Sequence, residues 1–421
     1  MEMKGVVLVA GKGTRLEPFT DGISKCMLPV AGKPIMQYAL ETIGRLGIKE
    51  ACIVLRDEHR EHIQSTFGSS FGGVSLTYVE QDTSKKGTAA AVLSAKEFIG
   101  GSTALIMAGD ILTTYEDVRR LCEFHTKHNI DTSMLLKRVD DPKRYGVAVV
   151  EGKKVVDIIE KPETPKSNLI NASVYIGGAH LLNELENVPL SKRGEYEITD
   201  ALYNICEEGR LYGIEMRGYW NDIGTPWNLL DANEYYMELI EEDIRGKVED
   251  SIVKGKVVVE EGAQVIGSYI EGPCYIAKGA IVGPSAHILK HSYIGPGCKI
   301  CGFTIVKNSI ILDGTKAKHH AYIGDSLVGR YCNFGSSTQI ANLRFDRKTV
   351  KMRLNGTEYD SGRQKLGCVV GSNVSFGAAS IVFPGKKIGS NSIIWPGAIV
   401  SEDVPQNMRV IVKQAIEHAP I

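Results

Sequence analysis

Apolar positions follow two different rhythms along the chain, and the change of rhythm divides it. Residues 4–10 (KGVVLVA) form a continuous apolar run of the length of a buried strand. Further strand-like runs fall at 51–55, 74–79, 103–107 and 132–136, with helical spacing between them at 88–98 and 115–128. Pro34 opens another helical pattern, in which Ile35, Ala39, Leu40, Ile43 and Leu46 share related faces and Gly47 marks the stop. Such alternation predicts an α/β domain with a mostly parallel sheet covered by helices. Trp227, Leu230, Ala232, Tyr236 and Leu239 predict a last helix across residues 222–243 with an acidic exit.

Beyond about residue 250 the period becomes six. Val282, Ile288, Ile294 and Ile300 are six apart, and Val370, Phe376, Val382, Ile388, Ile394 and Val400 repeat the spacing, with Gly283, Gly295, Gly371, Gly377 and Gly389 directly after such positions. Neither a helical face nor strand alternation has this period. A coil of three short strands does, with one inward aliphatic residue and one corner per strand, each coil completing its hydrogen bonds on its neighbours. Residues 342–368 interrupt the repeat with a basic run whose apolar positions alternate at Val350, Met352 and Leu354, so a hairpin or loop outside the coils is expected. The domain boundaries read from these patterns are 1–235 for the sheet-and-helix domain, 236–250 for a linker, and 251–421 for the coiled β domain with its 342–368 insertion.

Composition narrows the possibilities. The chain has 421 residues, 43% hydrophobic and 24% charged, enough for two or three domains with apolar cores. Its 49 Lys and Arg balance 50 Asp and Glu, which argues against a nucleic-acid-coating protein. No apolar run approaches a bilayer span, and the first residues lack the apolar segment of a signal peptide, so a cytoplasmic protein with no membrane or nucleic-acid partner is expected. Nine dispersed cysteines do not suggest a disulfide scaffold. Cys298 and Cys301 form a lone CxxC without a second pair at zinc spacing, and Cys332, one coil on, is expected near Cys301; packing explains all three better than metal binding.

Gly11, Gly13, Thr14 and Arg15 follow the first strand, where glycines let backbone N–H groups approach a phosphate. The spacing matches neither GxGxxG nor GxxxxGK, so on mechanism alone a plain turn fits as well. The longer run LVAGKGTRLEPFTDGISKCMLPVAGKP resembles the signature of the sugar-1-phosphate nucleotidyltransferases, with Ser24 where the family usually has proline. That resemblance implies a Rossmann-like nucleotidyltransferase domain in which a sugar phosphate attacks the α-phosphorus of UTP or dTTP and pyrophosphate leaves. Arg15 and Lys25 match its catalytic cations, and Gly11, Gly13, Thr14, Gln81, Gly87 and Thr88 its nucleotide-binding positions. Asp110 and Asp222 match its Mg²⁺ carboxylates, suited as hard oxygen ligands. Tyr145, Gly146, Glu160, Lys161 and Asn171 match its sugar-binding elements. The run GEYEITDAL, with Glu195 and Thr199, resembles the next segment of these enzymes and should open a helix, with Glu197 and Asp200 as cap or surface residues.

A β-helix is a shape rather than an activity. The run TKAKHHAYIGD, however, resembles the acetyl-transfer signature of bifunctional enzymes that join a nucleotidyltransferase to an acetyl-CoA-dependent left-handed parallel β-helix of hexapeptide repeats. In that match His319 is the base that deprotonates an amine, a task suited to imidazole with its ordinary pKa of about 6.5. Lys307 and Tyr322 meet the sugar phosphate, and Asn342 meets the sugar near the amine. The run ANLRFDRKTVK is similar to the archaeal rather than the bacterial form, and Lys348 and Lys351 match its site lysines; Lys290 lies near the position of the bacterial phosphate-site arginine. Coils 371–380 and 382–394 would form the acetyl-CoA groove through Gly377, Ala378 and Lys386, although a charged turn explains Lys386 equally well. The resemblance further implies a homotrimer or a dimer of trimers. The expected activity is acetylation of glucosamine-1-phosphate followed by uridylyl transfer, giving UDP-N-acetylglucosamine. The alternative is a glucose-1-phosphate thymidylyl- or uridylyltransferase with a broad amino-sugar-1-phosphate acetyltransferase activity.

Overall fold

A computed structural model of the chain describes residues 3–82, 84–417 and 419. The chain forms two compact units: one gathers the stretch through Lys12, Ser24–Leu28 and Pro34–Asp222, the other gathers Gly13–Ile23, Pro29–Lys33 and the chain from Ile223 onward.

The first unit is built on a ten-stranded sheet. Its order is Gly146–Glu151, Lys154–Glu160, Leu211–Glu215, Thr132–Arg138, Leu169–Gly177, Thr103–Ala108, Met3–Leu8, Glu50–Leu55, Val74–Glu80, Ser70–Phe71. Met3–Leu8 lies parallel to both neighbours, Glu50–Leu55 and Thr103–Ala108, and its Val6 and Val7 are fully buried, as expected of a strand covered on both faces. Helices Ile35–Arg45, Thr88–Ser94 and Tyr115–Lys127 match the predicted ones with shifted ends.

The sheet is more mixed than the alternation suggested. Glu151 pairs directly with Lys154, so only two residues, one of them Gly152 at φ 64°, connect Gly146–Glu151 to Lys154–Glu160. A two-residue turn can only reverse the chain, since a parallel crossover needs a dozen residues or more. Leu169–Gly177 then inserts antiparallel between Thr103–Ala108 and Thr132–Arg138.

The helix expected over 222–243 is shorter. Trp220–Asp222 is a strand, and the helix covers Pro226–Glu238, with Pro226 in its first turn and the Thr225 hydroxyl accepting from the Asn228 N–H. The acidic exit is not helical: Asp243–Ile244 already pairs with Val258–Val259, and Lys247–Glu249 with Gln264–Ile266.

From there three parallel sheets of eight, nine and eight strands stack as a β-helix. Equivalent positions recur after 17 or 18 residues, as in Val257↔Cys274 and Cys274↔Ser292. The six-residue series is the interior: Val282, Ile288, Ile294, Ile300, Val370, Val382, Ile388 and Ile394 are fully buried, and Phe376 stacks on Phe334 with ring centroids 4.6 Å apart. The 342–368 excursion contains an antiparallel hairpin, Lys351–Leu354 with Thr357–Asp360, turning through Asn355 and Gly356, both at positive φ.

Asp117 anchors the approach to Trp220–Asp222. Its carboxylate is buried and accepts from the N–H groups of Arg217 (3.0 Å) and Gly218 (2.7 Å), the Thr114 hydroxyl (2.8 Å) and Arg120 (2.7 Å). Although burial opposes ionisation, these donors hold its pKa below the ordinary carboxylate value. Asp117→Asn is therefore expected to lose about 2–3 kcal/mol at neutral pH. Because the folded pKa is depressed, that advantage exists above the unfolded carboxylate pKa of about 3.9 and fades as pH falls through the folded value. Denaturant unfolding of both proteins across pH 2–7 checks the convergence.

Candidate active sites

In the first unit, Met3–Leu8 and Thr103–Ala108 end side by side, at the carboxyl edge where open α/β sheets bind ligands. Gly109 donates its N–H to the Leu8 carbonyl (2.8 Å), and a Cβ there would sit 2.5 Å from Val9. Glycine thus lets the chain turn tightly and put Asp110 just past the edge. Ile111–Thr113 pairs antiparallel with Trp220–Asp222, with Asp222 opposite Ile111, so residues 112 positions apart become neighbours. Lys25 is buried and ion-paired with Asp110. Burial alone would lower its pKa, but the carboxylates of Asp110 and Asp222 outweigh burial and the net shift is upward, so the ammonium keeps its charge. Ser24 adopts φ −62°, ψ 134°, a φ that proline would impose, so its replacement of the usual proline leaves the backbone path intact.

Among the described residues no three His, Cys, Asp or Glu side chains converge as a metal cage. Asp110 and Asp222 supply two oxygen-bearing groups, which suits Mg²⁺, an ion that usually takes one or two carboxylates and leaves the rest of its shell to water and substrate phosphates.

The loop before Thr88–Ser94 is strapped to the segment around Tyr196. The Tyr196 N–H donates to Lys86 O (2.7 Å), Ala89 N–H to Tyr196 O (3.0 Å), and Ile198 N–H to the Thr88 hydroxyl (3.0 Å). Gln81 braces the same loop, its amide donating to the carbonyls of Lys85 (3.2 Å) and Gly87 (3.4 Å). The nucleotide candidates Gln81, Gly87 and Thr88 are thus one hydrogen-bonded unit. Gly11 has open space where a Cβ would stand, as a backbone-approach position requires.

The sugar candidates also converge. Gly146 pairs with Glu160, and a Cβ on Gly146 would lie 2.9 Å from Thr199 Cγ2, 3.0 Å from Glu160 Oε2 and 3.5 Å from Asn171 Cβ. Tyr145 packs edge-on against Trp220 at 5.6 Å, and its carbonyl accepts from the Lys161 N–H. Asn171 is buried, with its amide spent on Tyr175 Oη (2.7 Å) and the Ser173 N–H (2.9 Å). Burial raises the Glu160 pKa, with Lys161 and Arg193 opposing and Glu197 reinforcing the shift. Glu197 caps Ile198–Glu207, as expected, but is buried and ion-paired with Arg193 rather than lying at the surface. Sequence reading missed Arg193, which bridges Glu160 and Glu197; an isolated arginine in the loop SKRGEYE carries no signal of that link.

Gly13, Thr14 and Arg15 fall in the second unit. Gly13 takes φ 68° and opens the short turn Thr14–Leu16, and Arg15 is exposed, its guanidinium so close to Gly224 that a Cβ there would meet it at 2.8 Å. The Asn355 amide, at the tip of the inserted hairpin, donates to the Thr14 hydroxyl (3.2 Å).

In the β-helix, His319 and His320 are both exposed at a corner, with His320 at φ 51°. Tyr322 begins the next strand, and Asn342 Nδ2 donates to Tyr322 Oη (3.1 Å) and to Asp325 Oδ2 (2.5 Å). Lys307 pairs in register with Gly324 and lines a cavity of about 440 Å³ with Lys290, His291, Arg363 and Lys365 against Glu234 and Asp325. Lys351 lies across the hairpin from Glu358, paired at 3.1 Å, and Lys348 is exposed. Gly377 packs where a Cβ would strike Pro396 N at 2.4 Å; Ala378 is exposed and Lys386 half-buried. Cys332 does not stack on Cys301. The 17-residue register carries the row from Cys298 through Thr315 to Cys332, as the adjacent pairs Lys299↔Lys316 and Lys316↔Asn333 show. Burial pushes the Cys298 and Cys332 thiols up to about 12, and each donates to a backbone carbonyl.

Gly87 tests the strap in the first unit. At φ 117°, with an added Cβ 2.2 Å from Tyr196 O, alanine cannot be accommodated without moving backbone. Gly87→Ala is expected to cost about 1–3 kcal/mol and to speed amide exchange at Tyr196 and Ile198, measurable by hydrogen-exchange mass spectrometry.

Comparison with known proteins accounts for both parts of the chain. The nucleotidyl transferase family pattern matches residues 4–238, and that of the GMPPB C-terminal domain matches residues 270–391. The bifunctional sugar-1-phosphate nucleotidylyltransferase/acetyltransferase of Sulfurisphaera tokodaii is 38% identical over 96% of this chain and 98% of its own length. The bifunctional protein GlmU of Methanocaldococcus jannaschii is 39% identical over 96% of both chains. A crystal structure of UDP-glucose pyrophosphorylase complexed with UDP-glucose superposes with a TM-score of 0.52 at 25% identity, covering 57% of this chain and all of that one. The Rossmann-like domain followed by a left-handed hexapeptide β-helix is the fold expected from the sequence. With near-complete coverage of relatives that carry both activities, the chain belongs to the family of bifunctional sugar-1-phosphate nucleotidyltransferase/acetyltransferases.

Proposed function

We propose that the chain makes UDP-N-acetylglucosamine in two steps, acetylating glucosamine-1-phosphate from acetyl-CoA and then transferring uridylyl from UTP to N-acetylglucosamine-1-phosphate. The observation that carries this reading is the presence in one chain of two unlike clusters: the buried Lys25 with Asp110 and Asp222, and the exposed His319 three residues ahead of the Tyr322–Asn342 pair.

In the first cluster a phosphate oxygen of the sugar phosphate attacks the α-phosphorus, one P–O bond forms, and the bond to pyrophosphate breaks. Negative charge grows on the nonbridging oxygens, and the Lys25 ammonium and Arg15 guanidinium are the cations assigned to offset it. Mg²⁺, held by Asp110 and Asp222, supplies further charge neutralisation on the phosphates. Gly11, Gly13 and Thr14, with Gln81, Gly87 and Thr88, hold the nucleotide, while Tyr145, Gly146, Glu160, Lys161 and Asn171 hold the sugar.

At the second cluster His319 takes a proton from the substrate amine. The amine attacks the thioester carbonyl, a C–N bond forms, the C–S bond breaks, and the thiol leaves protonated. Lys307, Tyr322, Lys348 and Lys351 serve the sugar phosphate; the cavity that Lys307 shares with Lys290, Arg363 and Lys365 supports this, having more cations than carboxylates. Gly377, Ala378 and Lys386 receive acetyl-CoA.

The working form is a trimer or a dimer of trimers. Supporting this is an outward column of one sheet, running in register through Ile252, Tyr269, His287, Ile305, Tyr322, Gln339, Ile381 and Ile399, in which Ile252 and Ile399 are exposed. No helix among the described residues is long and apolar enough to cross a membrane. All nine cysteines are free thiols, which supports a reducing, cytoplasmic setting.

Two assays separate the sites. His319→Ala is expected to lower thiol release from acetyl-CoA and glucosamine-1-phosphate by about 10²–10⁴-fold while pyrophosphate release persists, and Asp110→Ala to do the reverse. Loss of both activities in either folded variant would contradict two separable sites. Running the coupled reaction with UTP or dTTP, and with glucosamine-, galactosamine- or glucose-1-phosphate, fixes substrate choice. Gly146→Ala, which crowds Glu160 and Asn171, is expected to raise KM for the sugar phosphate about tenfold with KM for the nucleotide unchanged, readable from initial-rate kinetics.

A further inference from the structure

Successive corners along one edge of the β-helix carry His291, Asn308 and Asp325, each in the left-handed region at φ 64°, 45° and 48°. Asn342 lies 17 residues beyond Asp325, as Asn308 lies 17 before it. Asp and Asn tolerate this backbone, and their short side chains reach one another up the column. Asp325 is buried and accepts from both directions, from Asn308 Nδ2 at Oδ1 (2.8 Å) and from Asn342 Nδ2 at Oδ2 (2.5 Å). Arg363, from the inserted segment, stands 3.7 Å from the same carboxylate and is itself paired with Asp231 and Glu234.

A carboxylate only accepts hydrogen bonds, so each neighbouring amide must turn its NH₂ group toward it. The consequence is visible at Asn308, whose nitrogen serves Asp325 and Glu234 and whose Oδ1 is left buried without a protein partner. At Asn342 the nitrogen serves Asp325 and Tyr322 Oη, so Oδ1 is turned away from the carboxylate. Because Tyr322 Oη accepts that bond, the phenol's own proton remains to be donated elsewhere.

We infer that Asp325 is a positioning residue for acetyl transfer, acting through Asn342: it fixes the amide so that an acceptor oxygen meets the substrate amine and the Tyr322 proton is left for the phosphate. This rests on the acetyltransferase reading above. An amine accepting no proton from the site but donating one to Asn342 Oδ1 is held with its lone pair free for the thioester carbon. A reversed amide would instead point N–H groups at that lone pair and tie it up. Asp325→Asn is nearly isosteric but carries a donor, so it permits the reversal.

The test is a double-mutant cycle on thiol release from acetyl-CoA and glucosamine-1-phosphate by the full-length protein. Asp325→Asn is expected to lower kcat/KM for glucosamine-1-phosphate about 10–100-fold, with KM for acetyl-CoA and the rate of pyrophosphate release unchanged. In an Asn342→Ala background the same substitution should cost less than about threefold. Equal losses in both backgrounds, or an unchanged rate in the single variant, would overturn the inference. Should Asp325→Asn not fold, Tyr322→Phe takes its place, since Asn342 keeps its tie to Asp325. That variant should raise KM for glucosamine-1-phosphate and spare kcat, and a large kcat loss would count against the inference. Wild-type protein that releases no thiol with any amino-sugar phosphate would refute the acetyltransferase reading itself, an outcome distinct from failure of the cycle.

Discussion

A coil of the β-helix can satisfy its N–H and C=O groups only by stacking on the coils before and after it, and that requirement fixes a register of 17 or 18 residues. Everything in the second unit follows from this constraint. It places the aliphatic series inside, lines up the corner residues into columns, and makes Leu327 pair directly with Val369 once the inserted segment has been looped out. The insertion leaves after Asn342, at the end of such a column. The corner residues there lose the coil that would otherwise follow in sequence, and their polar side chains bond to one another and to Arg363 instead.

The first unit depends on a different balance. A buried ammonium is costly unless paired, and Lys25 has two carboxylates to pair with. Neither carboxylate is local: Asp110 is delivered by a tight glycine turn at a strand end and Asp222 by a short ribbon anchored through Asp117. A cluster of this kind contributes little net stability for its desolvation. Its value lies in presenting fixed charge where a phosphate would otherwise bring its own, which is how charged active-site groups commonly offset growing charge.

Legibility in the sequence followed the range of each interaction. The six-residue period was readable because it is local and repeated, and Val282 through Ile300 occupy the interior that spacing demanded. The parallel core of the sheet was readable for the same reason. The antiparallel strands were not, because their direction depends on a two-residue turn at Gly152 rather than on hydrophobic rhythm. Cys332 was assigned to the wrong row because the coil repeat is 17 residues in that stretch, not a uniform multiple of six. For the sites, the resemblance supplied Lys25, Asp110, Asp222, Tyr322 and Asn342 as candidates. Arg193, Arg363 and Asp325 carry no motif, since each acts by bridging groups distant in sequence.

The inserted segment shows why composition alone misjudges charge. Its basic run suggested a lysine-rich surface, yet Arg344 is paired with Asp346, Lys351 with Glu358, and Arg363 with Asp231 and Glu234. Much of its positive charge therefore supports the fold of the hairpin and its attachment to the helix Pro226–Glu238. Exposed pairs such as Lys351–Glu358 are cheap to break, being worth at most about 1 kcal/mol in water, so a phosphate dianion can compete for that lysine. The largely buried Arg363 pairs are not cheap, because removing either partner leaves a charge stranded away from water. The segment thus separates its cations by burial, with fixed ones that shape the site and surface ones that remain able to exchange partners.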